Sequence, residues 1–153
     1  MGDGEQPGAA QPLLKAGIYW PGIAAPGLND LRGVWQQSAP VVLIAFYRAL
    51  IEGHNVAPVD ALIKALATRG VNALPVYLTS LKDDVAAATL AGLLGECKVS
   101  AVLNATGFAV SAYDGDNLIN PFAVADCPVL QLVFSGSGEE MWRQSDQGLA
   151  ARD

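Results

Sequence analysis

Six consecutive apolar residues, Val41 to Phe46, form the hydrophobic pattern on which the fold prediction rests. A strand that faces water on one side alternates apolar and polar residues. An unbroken run of this length instead indicates a central parallel strand that is covered on both faces. The polar residues that follow, beginning with Tyr47 and Arg48, predict a turn at the carboxyl end of the strand.

A packed helix is predicted immediately after this turn. Pro58 suits the first helical turn, where its missing N–H is no loss, and the Asp60 carboxylate complements the helix dipole. Gly70 stands where a helix is expected to stop. Apolar residues recur between them at the spacing of one helical face, at Val59, Leu62, Ile63 and Leu66. Strand, turn and helix together predict the first repeat of an α/β fold.

Strands and helices alternate along the rest of the chain. The other predicted strands are residues 16–20, 71–78, 100–104 and 128–134, and the other predicted helices are 28–37, 83–95 and 139–146. Pro75 fits its strand only awkwardly, because proline donates no ladder hydrogen bond. A polar insertion, residues 106–126, precedes the last strand. This order predicts an α/β fold with an open, doubly wound, mostly parallel five-stranded sheet of the flavodoxin-like kind, a three-layer sandwich.

The pattern predicts one α/β domain at residues 13–146. Residues 1–12 are expected to be a flexible lead-in, because they have neither the basic nor the apolar part of a signal peptide. Residues 147–153 are expected to begin a link to a further segment.

Composition excludes several classes of protein. The net charge of −6 without a basic run argues against a nucleic-acid partner. Unbroken apolar runs fall short of the about 18 residues that a membrane span needs. Cys97 and Cys127 stand apart, which is typical of buried thiols in a reducing compartment and makes the cytoplasm the expected location. Hydrophobic residues make up 52% of the chain, which indicates large buried faces, some of them against a partner surface.

Candidate ligand-binding residues lie where the predicted strands end, because ligands of doubly wound sheets bind beyond the carboxyl ends of the strands. These residues are Arg48, Asn55, Asp60, Ser80, Asn104, Thr106, Ser135 and Ser137. Such loops are polar and glycine-rich in any α/β protein, so the clustering alone does not identify a site. A complete nucleotide motif is missing from the loop that contains Ser135 and Ser137.

Arg48, with Asn55 and Asp60 nearby, is the strongest polar constellation in the sequence. Its guanidinium is suited to a ligand carboxylate or amide, and it is equally suited to pairing with Asp60 across the turn. His54 is the only histidine, so the usual zinc site is not expected. The residues predict neither a metal site nor a set of catalytic groups.

Four stretches of the sequence resemble a known family in the same order. They are FYRALIEGHNVAPVDALIKALATRG, LPVYLTSLKD, VLNATGFAVS and PVLQLVFSGSGEEMWRQSDQGLAARD. They resemble the large subunits of cobaltochelatase, the CobN family, and more distantly the H subunits of magnesium chelatase. The likeness runs from about Ala16 to Asp153. The family's turn GGNTAP is Gly53 to Pro58 here, with His54 and Val56 as departures.

The resemblance implies an ATP-dependent enzyme that inserts Co²⁺ into a corrin, hydrogenobyrinic acid a,c-diamide, during aerobic cobalamin biosynthesis. Its large subunit holds the tetrapyrrole, while AAA+-type partner subunits use Mg-ATP and cobalt is a substrate. The chain is then an interior domain of a longer subunit, with no cofactor of its own and no activity in isolation. The alternatives are a magnesium chelatase H-type domain, a stand-alone flavodoxin-like module that binds a small molecule, and a structural interaction domain.

Overall fold

The computed structural model describes residues 13–106, 112–114, 117–119 and 122–134. Its elements in chain order are β1 (Ala16–Ile18), α1 (Leu28–Val34), β2 (Val41–Tyr47), α2 (Ala49–Glu52), α3 (Ala57–Thr68), β3 (Asn72–Leu78), α4 (Asp84–Glu96), β4 (Ala101–Asn104), β5 (Ala112–Asp114), β6 (Asn117–Ile119), a 3₁₀ turn (Ala123–Ala125) and β7 (Val129–Gln131). No helix within these ranges is long and apolar enough to cross a membrane.

The strands form the predicted mostly parallel five-stranded sheet, in the order β1-β3-β2-β4-β7. Four of them run parallel, and β1 pairs antiparallel with β3. β5 and β6 form a separate hairpin inside the predicted polar insertion. The α/β fold class expected from the sequence is therefore confirmed, and β1 is the one antiparallel strand of the sheet.

β2 is buried on both of its faces, as its unbroken apolar run predicts. Leu43 and Ala45 pack into the core beneath α1 and α4, whereas Ile44 and Phe46 pack beneath α3. All four side chains are 0% exposed. Helices thus cover opposite faces of the sheet. Right-handed crossovers produce this double winding when the chain moves first to one side of β2 and then to the other.

Pro75 lies in β3 at a position where its missing N–H is harmless to the parallel sheet. The N–H of Asn72 donates to Pro40 O of the β2 side at 2.8 Å, so alternate residues of β3 bond to β2. Pro75 belongs to the other set, and its oxygen accepts from the N–H of Tyr19 at 2.9 Å. The return bond of this pair needs an N–H that proline lacks, so the ladder of β1 ends at Ile18.

The helix predicted for residues 28–37 ends earlier because its last residues bond to β3 instead. Trp35 leaves the helix and donates its indole N–H to Ala73 O at 2.9 Å. The buried Asn72 amide then accepts from Gln36 N–H at 2.8 Å and donates to Gln36 O at 2.9 Å. These contacts join α1 to β3 across positions far apart in the sequence.

Differences from the expected elements are largest in the last part of the chain. β7 covers only Val129–Gln131 of the predicted strand at 128–134. The predicted helix at 139–146 lies outside the described residues, as do the lead-in at 1–12 and the link at 147–153. The boundaries expected for the domain therefore stay a prediction.

Gly17 is predicted to be intolerant of a side chain. A Cβ at Gly17 would lie 2.6 Å from the Tyr77 hydroxyl and 2.8 Å from Cζ of the same ring, which is buried. Gly17→Ala should therefore lower the free energy of unfolding by about 1–3 kcal/mol, measured in urea. The matched control is Gly92→Ala, where nothing lies within 4 Å. A helix-interior alanine should raise stability there by about 0.5–1 kcal/mol. Equal effects at both glycines would contradict the steric explanation.

Candidate functional site

The candidate site lies where the order of the parallel strands reverses. The chain passes from β2 to β3 on one side and then to β4 on the other side of β2. Ligands of doubly wound sheets bind at this point, beyond the carboxyl ends of the two strands. Arg48 follows β2 there, and Asn104 and Thr106 stand at the end of β4. We refer to Arg48, Asn104, Thr106 and Gln131 of the neighbouring β7 as the switch-point rim.

Asn104, Thr106 and Gln131 form a network of hydrogen bonds within the rim. Asn104 Oδ1 accepts from the Thr106 N–H at 3.1 Å and from its hydroxyl at 2.5 Å. Asn104 Nδ2 donates to Gln131 Oε1 at 3.0 Å, and Gln131 Nε2 donates to Thr106 O at 2.8 Å. Asn104 is 0% exposed and Thr106 is 5% exposed. Their side chains therefore bond to one another and hold the chain after β4 against β7.

Arg48 is the rim residue whose charged group reaches solvent. Its Nε lies 2.8 Å from Glu52 Oε1, one helical turn later, and its Nη1 donates to Leu14 O at 3.4 Å. The side chain remains 30% exposed. Glu52, and not Asp60, is the carboxylate that pairs with Arg48 among the described residues.

Asp60 instead accepts a hydrogen bond from the Tyr19 hydroxyl at 2.7 Å. The Tyr19 ring packs edge-on against Phe46, with centroids 5.9 Å apart. Burial raises the pKa of Tyr19 well above its usual value, and the bond to Asp60 and the negative charge of that carboxylate raise it further. The pair fixes the end of β1 to the first turn of α3.

Asn55 stands in the turn between α2 and α3, where the backbone sets the geometry. The N–H of Asn55 donates to Leu50 O at 2.7 Å, and that of His54 donates to Ile51 O at 3.1 Å. This pair of bonds is the Schellman motif, which places His54 in the left-handed region at φ 55°. Glycine is favoured at such a position, whereas this chain has a histidine there. The Asn55 side chain is exposed.

Ser80 has a local structural bond, because its hydroxyl accepts from the Lys82 N–H at 3.1 Å. Asp83 next to it caps α4 and lies 3.2 Å from Lys15 Nζ. The N–H of Ala86, followed by Lys15, lowers the pKa of Asp83 below its usual value. Among the described residues, the hydroxyl of Thr79, at the end of β3, is buried without a hydrogen-bond partner.

The structure brings Asn104 and Thr106 into contact, whereas the side chain of Arg48 contacts Glu52 and Leu14. Arg48, Asn104 and Thr106 belong to the rim, and Asn55, Asp60 and Ser80 lie on the turns and helix around it. Ser135 and Ser137 lie outside the described residues. A ligand-binding role for any of these residues stays a prediction. In the described part of the chain no group of three or more His, Cys, Asp or Glu is arranged to hold a metal ion.

Two rim partners were not anticipated from the sequence. Gln131 is the one polar residue within the apolar stretch Val129 to Phe134, which is the signal that marks it. Glu52 follows Arg48 by four residues, the spacing at which opposite charges meet on a helix.

The sequence model of the CobN/Magnesium Chelatase family matches residues 2–153 of the chain. Two similar curated proteins are both named aerobic cobaltochelatase subunit CobN. The protein from Sinorhizobium sp is 45% identical over 157 residues, covering 97% of this chain and 12% of the relative. The protein from Pseudomonas aeruginosa is 34% identical over 143 residues, covering 94% of this chain and 11% of the relative.

A solved structure also shares the fold. It is the catalytic subunit of cobaltochelatase from Mycobacterium tuberculosis, with a TM-score of 0.62 and 24% sequence identity, covering 100% of this chain. The chain spans no more than 12% of the length of each of these three proteins.

Tyr19→Phe is predicted to reveal the bond to Asp60 through pH. Loss of the hydroxyl should cost about 0.5–1.5 kcal/mol of unfolding free energy at neutral pH. The folded state raises the pKa of Tyr19. The difference in unfolding free energy between wild type and Tyr19→Phe should therefore be complete below about pH 10, and it should be lost as pH rises beyond that value. Urea unfolding of both proteins between pH 7 and pH 11 measures the difference, in which other titrating groups cancel. An advantage that stays constant up to the highest pH would contradict this assignment.

Asn104→Ala is predicted to destabilise the fold through the rim network. The substitution leaves Gln131 Oε1 and the Thr106 N–H without their partner, which should cost about 1–3 kcal/mol in urea unfolding. Asn55→Ala is the matched control, since that side chain is exposed, and it should change stability by less than about 0.5 kcal/mol. Similar losses for the two asparagines would show that the network is not the cause.

Proposed function

Because the chain belongs to the CobN/magnesium chelatase family, as its sequence motifs predict, we propose that it is an interior domain of the large subunit of an aerobic cobaltochelatase. That subunit holds a corrin, hydrogenobyrinic acid a,c-diamide, while Co²⁺ is inserted in a reaction that depends on ATP. The observation that carries the proposal is 45% identity to a CobN protein across 97% of this chain. The domain is inactive alone, because it contributes only part of the corrin cavity.

The switch-point rim is the part of the domain that we assign to the corrin. Side-chain carboxylates and amides surround the edge of this substrate, and a guanidinium binds a carboxylate by parallel N–H bonds. Arg48 supplies such a group at the carboxyl ends of the parallel strands, where the side chain keeps 30% exposure. Asn104, Thr106 and Gln131 position the chain beside it, since their polar atoms bond to one another.

Partners follow from the same proposal. The curated relatives are named as subunits, which supports assembly with further chains. We assign the use of Mg-ATP to AAA+-type partner subunits, with cobalt as substrate and the complex in the cytoplasm. A magnesium chelatase H-type domain is the alternative within the family.

A second candidate function, a structural interaction domain, is favoured by one observation. Leu130 on β7 is 54% exposed and pairs in register with Leu103 on β4. Paired residues of parallel strands point to the same face of the sheet, and Leu103 packs against the core on the α3 side. An exposed leucine on this face suits contact with a neighbouring domain.

A chimera tests the proposal and separates the two functions. This chain replaces the matching segment of the Sinorhizobium CobN protein, and cobalt insertion is measured with the partner subunits present. We expect an active enzyme in which Arg48→Ala raises the KM for the corrin by about tenfold or more, the loss of one charge-assisted hydrogen bond. Arg69→Ala, an exposed arginine at the end of α3, is the matched control and should leave KM unchanged.

Other outcomes assign the domain differently. An inactive chimera that assembles normally would contradict the cobaltochelatase assignment. Normal kinetics in Arg48→Ala, together with loss of assembly in Leu130→Asp, would instead support the structural interaction domain.

A further inference from the structure

The charged group at the switch-point rim is already held by a carboxylate of the same chain. Glu52 Oε1 lies 2.8 Å from Arg48 Nε, which is one edge of the guanidinium. The other contact of the group is Leu14 O, which accepts from Nη1 at 3.4 Å and is therefore weakly bound. Glu52 thus occupies the position that a carboxylate of a ligand would take.

This ion pair is of the kind that a ligand can displace. The side chains of Arg48 and Glu52 are 30% and 52% exposed, and they belong to the same short helical turn. An exposed ion pair four residues apart on a helix changes the folding equilibrium constant by only about twofold, because water screens both charges. A ligand carboxylate that makes two parallel bonds to the guanidinium is bound more strongly than that.

A buried hydroxyl lies at the end of β3, the strand to which the backbone of Arg48 bonds. The N–H of Arg48 donates to Leu78 O at 2.9 Å, which places Thr79, the next residue, beside Arg48 at the rim. The Thr79 hydroxyl is buried and makes no hydrogen bond within the part of the chain that the structure describes. Buried hydroxyls in proteins are nearly always paired, so Thr79 supplies a further polar group for a ligand at this edge of the sheet.

We propose that Glu52 is an internal competitor for Arg48, whose carboxylate holds the guanidinium in the free protein and is displaced by a carboxylate of the bound ligand. Glu52 then sets the specificity of the rim. A ligand carboxylate replaces the negative charge of Glu52 beside the guanidinium, whereas a neutral amide does not. The identity of that ligand as a carboxylate-bearing corrin rests on the proposed function. Preference for carboxylate over amide does not depend on it.

The test uses a small tricarboxylate, propane-1,2,3-tricarboxylate, and its neutral triamide as probes. Each is titrated into the whole chain while the arginine Nε–H resonances are followed by NMR, in wild type, Glu52→Gln and the control Glu96→Gln. Glu96 is an exposed glutamate at the end of α4, so its substitution makes the same change in net charge. Glu52→Gln should bind the tricarboxylate about threefold to fivefold more tightly than wild type at low ionic strength. The ligand no longer has to break the ion pair with Arg48, and the negative charge of Glu52 no longer repels it.

The gain should be specific in three ways. It should be absent in Glu96→Gln, absent for the triamide, and abolished by Arg48→Lys, which lacks the planar fork. An equal gain in both glutamate variants would overturn the proposal in favour of net charge, and so would a gain for the triamide or no gain at all.

Corrin binding is then measured separately, as the KM for the corrin when the same variants are carried by the chimera. Tighter tricarboxylate binding by Glu52→Gln, with a KM for the corrin that neither Glu52→Gln nor Arg48→Ala changes, would support the competitor and contradict the assignment of the rim to the corrin. Corrin binding that Glu52→Gln does not strengthen, in a chain whose tricarboxylate affinity is also unchanged, would overturn the competitor and keep the proposed function.

Discussion

The burial of β2 on both faces and along both edges is the constraint on which the rest of the structure depends. Its backbone bonds to β3 on one side and β4 on the other, and its central side chains are 0% exposed. Each fully buried large side chain contributes about 1.5–3 kcal/mol, so few other arrangements of the strand satisfy the same run of residues. The position of β2 in turn brings Arg48 to the same edge of the sheet as Asn104.

Much of this arrangement could be predicted because it depends on local patterns of apolar and polar residues in the sequence. An unbroken apolar run predicted the covered strand β2, and the spacing of Val59 and Ile63 predicted the buried face of α3. The direction of β1 could not be predicted, since a short apolar stretch has the same pattern in either orientation. The bonds between Asn72 and Gln36 were equally hidden, because they join positions 36 residues apart whose proximity depends on the finished sheet.

The same distinction between local patterns and contacts of distant residues applies to the candidate site. Strand ends in the sequence predicted which residues would lie near the rim, but a strand end does not reveal its partner on another strand. Asn104 therefore looked as available to a ligand as Arg48 did, and the bond to Gln131, 27 residues later, is what distinguishes them. The contact of Arg48 with Glu52 was also missed, although their spacing within a single helical turn could have predicted it.

The missing N–H of Pro75 also affects how firmly β1 is held in the sheet. Because Pro75 has no N–H, its pair with Tyr19 has one backbone hydrogen bond, whereas such a pair in an antiparallel ladder exchanges two. The edge strand β1 is therefore held by fewer backbone bonds than the central strand β2, which bonds to a neighbour on each side. Amide protons of β1 are then expected to exchange with solvent faster than those of β2, because opening an edge strand costs less free energy than opening the centre of the sheet.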